Sequence, residues 1–256
     1  MPKLDSVKRS FNQAPPRIVM YGVGGVGKST FAASAPNPIF IPVEDGISTL
    51  DVDAFPVVRT YADIMEDLSS LCTEEHDYKT VVIDSLDWLE PIIQAEICAK
   101  YKADSMATAC GGYGKAYAKE VEMFHEITKA LDWLRLNKGM TPILLAHCEV
   151  RTFNDPYSAS YDRYFMKIHK LSCDFMYEWS DIVLFSYMDV AVVRDGNTIS
   201  VRPIGKDGGN RKMRAVSSPA AIAKNRHGLP EVMDLRWDEI SSRIKFYENG
   251  TESKEQ

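Results

Sequence analysis

The sequence predicts an α/β fold, with a mainly parallel, twisted sheet and helices on both of its faces. Two observations carry this prediction. Strand-like apolar segments alternate with helix-like segments through the first two-thirds of the chain. A glycine-rich turn also joins the first strand to a helix, in "RIVMYGVGGVGKSTFAASA" (17–35). The 256 residues, 45% of them hydrophobic, suffice for one sizeable core.

Five strands are predicted for the parallel sheet, and an antiparallel hairpin extends it toward the C-terminus. The third strand is apolar throughout, as in a strand that helices cover on both faces. Pro142 begins the fourth strand, a position that tolerates proline. The hairpin turns at Asp195-Gly196-Asn197. The segments are "RIVMY" (17–21), "PIFIPVE" (38–44), "KTVVID" (79–84), "TPILLAH" (141–147), "DIVLFSY" (181–187) and the hairpin "VAVVRDGNTISVRPI" (190–204).

Two helices are predicted from apolar residues at helical spacing, and their stripes are assigned to the core. The long helix before the fourth strand has Tyr117, Val121, Phe124, Ile127, Leu131 and Leu134 on one side. The helix before the fifth strand has Phe165, Ile168, Leu171 and Phe175. The segments 101–114 and 149–160 are predicted to be irregular loops. The second leaves the carboxyl end of the fourth strand, where open α/β sheets bind ligands.

The glycine-rich turn has the spacing G-x-x-x-x-G-K-[ST], which predicts a polyphosphate site. Glycine lets backbone N–H groups wrap a phosphate chain, and the following helix adds its positive N-terminal end. Lys28 is expected to reach the β- and γ-phosphates, and the Ser29 hydroxyl to hold Mg²⁺. The predicted cofactors are therefore ATP and Mg²⁺. The predicted nucleotide-binding residues are Gly22, Gly24, Gly25, Val26, Gly27, Lys28, Ser29 and Thr30.

Three polar residues at strand ends are candidates for the chemistry of hydrolysis. Asp84 ends the third strand and is predicted to orient the Mg²⁺, the alternative being a cap for the next helix. Glu44 ends the second strand and is predicted to position or deprotonate the attacking water. Its alternative is a plain turn residue beside Asp45. His147 ends the fourth strand and is read either as a γ-phosphate sensor or as an ordinary strand-end histidine.

Composition bounds the class of protein. Residues 1–15 are read as a flexible segment without the apolar region of a signal peptide, and 16–230 as the core domain. Residues 231–247 are read as a helical extension, and 248–256 as a disordered tail.

No apolar run approaches the ~18 residues that span a bilayer, so no membrane association is expected. The five cysteines form no C-x-x-C pair, which favours a reducing cytoplasm over a zinc site.

A nucleic-acid partner is suggested by local features rather than by net charge, which is −6. Between Arg194 and Arg226 the chain has eight Lys and Arg residues against two aspartates. The two irregular loops carry basic residues, which neutralise phosphates, and aromatic residues, which stack bases. The alternative is an ordinary polar surface. The candidate DNA-binding residues are Tyr101, Lys102, Tyr113, Lys115, Arg151, Phe153 and Tyr157.

The order of these motifs over residues 15–230 resembles the RecA-type P-loop ATPase core. It looks like the phage-encoded RecA-core proteins of single-strand annealing and recombination. "GVGGVGKST" resembles their Walker A motif, "VVIDSL" their Walker B motif, and "PVEDGISTLD" the stretch with the catalytic glutamate, here Glu44. The resemblance places the two loops where DNA-binding loops lie. His147 stands where the family has a sensing glutamine.

Two further elements follow from the resemblance. "AKNRHGLP" is similar to a Lys-x-Lys or Lys-x-Arg element that reaches a neighbour's nucleotide, which implies roles in trans for Lys224 and Arg226. "FNQA" (11–14) resembles the Phe-x-x-Ala polymerisation motif of recombinases, with an ordinary hydrophobic anchor as the alternative.

The leading hypothesis is an oligomeric, DNA-dependent or DNA-stimulated ATPase that binds single-stranded DNA and promotes recombination or annealing. Nucleotide would lie at subunit interfaces, a single-strand binding protein is a further expected partner, and the location would be the cytoplasm of the phage's host. One alternative is an ATPase motor or loader of the helicase class. The other is a non-enzymatic nucleotide switch, which would not need a catalytic carboxylate such as Glu44.

Overall fold

A computed structural model describes residues 14–195, 198–203 and 210–248, with only the backbone of 191–195 and 198–203. Residues 11–13 of the "FNQA" segment, the hairpin turn at 196–197 and the tail from 249 lie outside the described residues. Among the described residues, no helix combines the length and apolarity that a membrane crossing requires.

The described elements form an α/β fold, which confirms the predicted class. The strands are β1 Ile18–Gly22, β2 Pro38–Pro42, β3 Asp53–Ala54, β4 Thr80–Asp84, β5 Thr141–Phe153, β6 Tyr161–Met166, β7 Ile182–Met188, β8 Val190–Asp195, β9 Thr198–Pro203, β10 Arg211–Arg214, β11 Lys224–Asn225 and β12 Val232–Asp234. The helices are α1 Lys28–Ala33, α2 Tyr61–Thr73, α3 Leu86–Tyr101, α4 Lys115–Asn137, α5 Lys170–Trp179, α6 Asp238–Ser241 and α7 Lys245–Glu248, with a 3₁₀ turn at Ala109–Gly111.

Ten of these strands form one sheet in the order β12-β10-β7-β1-β5-β4-β2-β3, with β6 paired to β5 and β11 to β7. The strands from β7 to β3 are parallel, whereas β10, β11 and β12 pair antiparallel at one edge. Because β1 lies between β5 and β7, the loop that follows it emerges at the middle of the sheet's carboxyl edge. The predicted hairpin is present as a separate pair, β8 and β9.

The sheet separates two hydrophobic clusters, as its alternating side chains require. Val19 and Tyr21 of β1 face the larger cluster, which α2, α3, α4 and α5 cover. Ile18 and Met20 face the smaller cluster, which α1 and residues 229–244 cover. Residues 229–244 therefore pack with α1, the helix that begins at Lys28, on the same face of the sheet.

Three local predictions differ from the structure. Residues 149–153 are not an irregular loop, because β5 continues to Phe153 and pairs antiparallel with β6. The helix before the fifth strand does not include Phe165, which lies in β6, and its Leu171 is 45% exposed. The C-terminal extension is not purely helical, since β12 joins the main sheet before α6 and α7.

Candidate active site

The glycine loop has the backbone conformation that its sequence predicts. Gly25 and Gly27 have φ of +72° and +103°, in the left-handed region that favours glycine. Gly22 needs glycine for a different reason. A Cβ at that position would overlap the backbone oxygen of Ser186 on β7, so β1 could not approach its neighbour as closely. Gly25 and Gly27 therefore allow the conformation of the loop, and Gly22 allows β1 to pack closely against β7.

Lys28 is buried and bound to its own loop. Its Nζ donates hydrogen bonds to the carbonyl oxygens of Gly22 (3.2 Å) and Val23 (3.1 Å). Burial lowers the pKa of this ammonium group, and the nearby carboxylate of Asp84 opposes that shift. An ammonium group at the centre of a glycine loop is placed to donate hydrogen bonds to phosphate oxygens instead of to these two carbonyl oxygens.

The side chains of Ser29, on α1, and Asp84, at the end of β4, are hydrogen-bonded at the carboxyl edge of the sheet. The Ser29 hydroxyl donates a 2.6 Å hydrogen bond to Oδ2 of Asp84, which is 5% exposed. Burial raises the pKa of Asp84, while Ser29 and the charge of Lys28 act in the opposite direction. A hydroxyl and a carboxylate side by side are hard oxygen ligands that suit Mg²⁺. The described residues contain no cluster of three or more His, Cys, Asp or Glu for a metal, so the cation would need phosphate oxygens as well.

Glu44 lies just beyond β2, on the same edge as Asp84. Its Oε1 accepts a 3.2 Å hydrogen bond from the hydroxyl of Ser85. Burial, followed by the negative charge of Asp84, raises the pKa of this half-buried carboxyl. A raised pKa suits a group that takes a proton from water. The Ser85 hydroxyl thus holds the Glu44 carboxylate at this edge.

His147 faces the glycine loop, and its orientation comes from a residue that the sequence analysis missed. A Cβ on Gly24 would lie 3.9 Å from both Cδ2 and Nε2 of the imidazole. On the other side of the ring, Nδ1 lies 2.9 Å from Oδ2 of Asp87, and the His147 backbone N–H donates to Oδ1 at 2.8 Å. Burial opposes ionisation of Asp87, but the hydrogen bonds from His147 outweigh it and its pKa is lowered.

Arg211 is a second residue that sequence reasoning did not assign to this site. It starts β10, and its Nη1 would lie 2.9 Å from a Cβ on Gly27. Beside it a cavity of about 480 Å³ runs along the first turns of α1, lined by Gly27, Thr30, Phe31, Arg211, Arg236 and Trp237. Among the described residues, the Arg211 guanidinium has no hydrogen bond or ion pair. Its position in the basic segment was the only signal in the sequence.

Lys224 and Arg226 are not near this site. Lys224 lies on β11 and pairs with Val183, near the amino end of β7. The glycine loop begins at Gly22, which pairs with Ser186, nearer the carboxyl end of the same strand. Lys224 Nζ donates to the carbonyl oxygens of Tyr177 (2.7 Å) and Glu178 (2.8 Å) at the end of α5. Both residues therefore lie toward the amino end of the parallel strands, away from the edge where the glycine loop of the same chain lies.

The candidate DNA-binding residues fall into two groups. Tyr113 and Tyr157 are 99% and 98% exposed, and Tyr101, Lys102 and Lys115 are exposed as well. In contrast, Arg151 is bound to the Glu149 carboxylate and to the carbonyl oxygens of Met166 and Ile168. Phe153 packs against Tyr161, with ring centroids 5.5 Å apart. The second group holds the β5–β6 hairpin together.

Comparison with known proteins adds two findings. The model of a family described as an AAA domain matches residues 14–227, most of the chain. The chain is also 23% identical over 134 residues to the SPbeta prophage-derived uncharacterized protein YorG of Bacillus subtilis (strain 168). That match covers 51% of this chain and 40% of the relative, so the chain spans less than half of the relative's length. These findings favour a phage-associated P-loop ATPase and do not distinguish a recombinase.

Proposed function

We propose that this chain, which belongs to the AAA domain family, hydrolyses ATP with Mg²⁺ and uses the reaction to control binding of single-stranded DNA by an oligomer. The observation that carries the ATPase part is the 2.6 Å contact between Ser29 and Asp84, beside the buried ammonium group of Lys28. A nucleotide switch could share these groups. The half-buried Glu44, fixed by Ser85 on the same edge, favours hydrolysis.

Each residue of the edge would have a separate task. The loop N–H groups and Lys28 bind the phosphates, and Ser29 and Asp84 hold the Mg²⁺, which when bound neutralises phosphate charge. Glu44 orients the attacking water and accepts its proton. Arg211 adds a positive charge beside Gly27, and the 480 Å³ cavity between α1 and Trp237 takes the nucleoside.

The ATPase proposal is tested with the size-matched pair Glu44→Gln and Asp45→Asn, and with the truncation Lys28→Ala. Glu44→Gln should still bind ATP but should lose about 100-fold or more in kcat, the usual contribution of a general base. Lys28→Ala should lose nucleotide binding, hydrolysis or both, and Asp45→Asn should behave like the wild type. Phosphate release and equilibrium binding of an ATP analogue measure the two steps separately. Full turnover by Glu44→Gln would mean that another residue activates the water.

The DNA part of the proposal is supported by exposed aromatic and basic side chains on the loop 102–114 and the hairpin tip 154–160. Stacking on an aromatic face is worth about 1–3 kcal/mol per base. Tyr113→Ala and Tyr157→Ala should therefore weaken binding of a fluorescent oligonucleotide by roughly 5–150-fold, with little change in its salt dependence. Lys102→Ala should instead reduce the salt slope by under ~1 unit.

The outcome of this titration also separates the competing functions. An absence of oligonucleotide affinity at low salt with ATP present would favour a nucleotide switch with a protein partner. ATP-dependent unwinding of a duplex would favour a motor or loader of the helicase class. Binding and annealing without unwinding would support the proposed role in recombination or annealing, in the cytoplasm of a phage's host.

The oligomer part rests on Arg226, whose side chain is 55% exposed and paired only at one oxygen of Asp181 among the described residues. An arginine at a neighbour's γ-phosphate is worth roughly 10³–10⁵ in rate. Arg226→Ala and Glu44→Gln should each be nearly inactive, and mixing them should restore activity where an intact Glu44 meets an intact Arg226. If pull-down shows co-assembly and the mixture remains inactive, Arg226 does not act in trans.

A further inference from the structure

Four polar side chains lie in a row along the edge of the proposed site and form two hydrogen-bonded pairs. The row begins at Glu44 after β2, passes through Ser85 and Asp87 at the start of α3, and ends at His147 on β5. The hydrogen bonds are Ser85 Oγ to Glu44 Oε1 (3.2 Å), His147 Nδ1 to Asp87 Oδ2 (2.9 Å) and the His147 N–H to Asp87 Oδ1 (2.8 Å). The Asp87 side chain is 4% exposed, so water scarcely competes for it.

Ser85 forms the first of these two pairs. The residue is fully buried, and its hydroxyl also helps to lower the pKa of Asp87. Ser85 is the N-cap residue of α3, yet its side chain makes no capping bond. A serine hydroxyl has one proton to donate, and here Glu44 accepts it.

We propose that Asp87 is a positioning residue for the ATPase site and that it holds His147 with Nε2 toward the glycine loop. The inference rests on the proposed ATPase function for its consequence in catalysis, but not for its geometry.

The chemical consequence concerns the two ring nitrogens of His147. Asp87 is a carboxylate and accepts hydrogen bonds only, so Nδ1 must carry a proton. In the neutral ring, Nε2 then presents a lone pair to the loop, and only the imidazolium form can donate to a phosphate oxygen there. The carboxylates of Asp87, Asp84 and Glu44 act electrostatically on this ring, and Asp87 is hydrogen-bonded to it.

The tautomer of His147 tests the geometry without any activity measurement. In protein labelled with ¹⁵N-histidine, the His147 ring, assigned by its loss in His147→Gln, should show a protonated Nδ1. In Asp87→Asn, one amide oxygen can accept the His147 backbone N–H while the NH₂ group donates to Nδ1, so the proton should move to Nε2. Exposed Asp51→Asn is the matched control and should leave the spectrum unchanged. A wild-type ring protonated at Nε2 alone would overturn the proposal, whether or not the variants fold.

Kinetics test the consequence. Asp87→Asn should lower kcat by roughly 10–100-fold, the usual cost of losing a group that orients a primary ligand. Its affinity for ADP, which lacks the γ-phosphate, should remain within about threefold of wild type. Ser85→Ala should keep the Nδ1 tautomer and the ADP affinity but lose roughly 10–150-fold in kcat, because its hydrogen bond to the carboxylate of Glu44 is removed. Wild-type kcat in Asp87→Asn, with its tautomer changed, would refute the link to catalysis. If the wild type hydrolyses no ATP, the ATPase proposal fails while the tautomer result stands.

Discussion

Arg211→Ala is the variant that best tests the nucleotide site beyond its sequence motif. The guanidinium lies against Gly27, at the mouth of the 480 Å³ cavity, and has no ion-pair partner among the described residues. A hydrogen bond to a charged group contributes about 1.5–3 kcal/mol. At about 1.4 kcal/mol for each factor of ten, its loss should weaken nucleotide binding by roughly 10–150-fold.

The measurement is an equilibrium titration with ATP and with ADP at one fixed salt concentration. Both nucleotides should lose affinity, because Arg211 lies beside Gly27 at the start of α1, which in the proposed site would face phosphates that ATP and ADP share. The matched control is Arg236→Ala. Arg236 lines the same cavity but is 62% exposed and already forms two hydrogen bonds to Asp238 (2.7 and 3.1 Å), so its loss should change the affinity by less than about threefold. Wild-type affinity in a folded Arg211→Ala variant would refute the assignment of the cavity to the nucleoside.

Three further predictions concern stability. In urea denaturation, Gly22→Ala should lower the free energy of unfolding by about 1–3 kcal/mol or more, because the new methyl group would overpack against β7. Gly24→Ala should lower it much less, because its methyl group would make only ordinary van der Waals contacts. Burial, followed by the charge of Glu120, raises the pKa of Glu90 to about 8. The folded state therefore binds more protons than the unfolded chain between about pH 4.5 and 8, and stability should fall as pH rises through that window, by no more than about 1.4 kcal/mol per pH unit. Glu90→Gln should flatten that dependence, and an unchanged slope would contradict it. Lys224→Met should lower the melting temperature by removing two hydrogen bonds to the end of α5, while exposed Arg226→Ala should leave it nearly unchanged. Equal effects of these two substitutions would show that Lys224 is not structural.

The sequence was sufficient for the parts of the site whose residues are close along the chain. The glycine loop, Lys28 and Ser29 are one short motif, and its flanking apolar strand and helix supply the required context. Asp84 could be predicted because a buried strand carries it to the same sheet edge. Glu44 and His147 were also placed at the correct edge, since both end parallel strands.

The residues that the sequence analysis missed depend on contacts between distant segments. Asp87 lies in the first turn of α3, where acidic residues are common in any helix, and only its contact with β5 shows its role. Arg211 reaches the glycine loop because β10 pairs antiparallel with β7, which no periodicity predicts. The extension of β5 had a detectable signal. Val150, Thr152 and Phe153 favour a strand, but the turn residues from Asn154 onward obscured it.

The place of β1 at the centre of the sheet has a consequence for biosynthesis. Ile18 pairs with Ile143 and with Ile182, both made more than one hundred residues later. The strand that leads into the glycine loop therefore leaves the ribosome well before either of its neighbours has been made. Contacts so distant in sequence slow folding, because the chain must close long loops before they form. Until β5 and then β7 have been made, this apolar strand cannot form its native pairs, and unpaired apolar strands of this kind promote aggregation during folding.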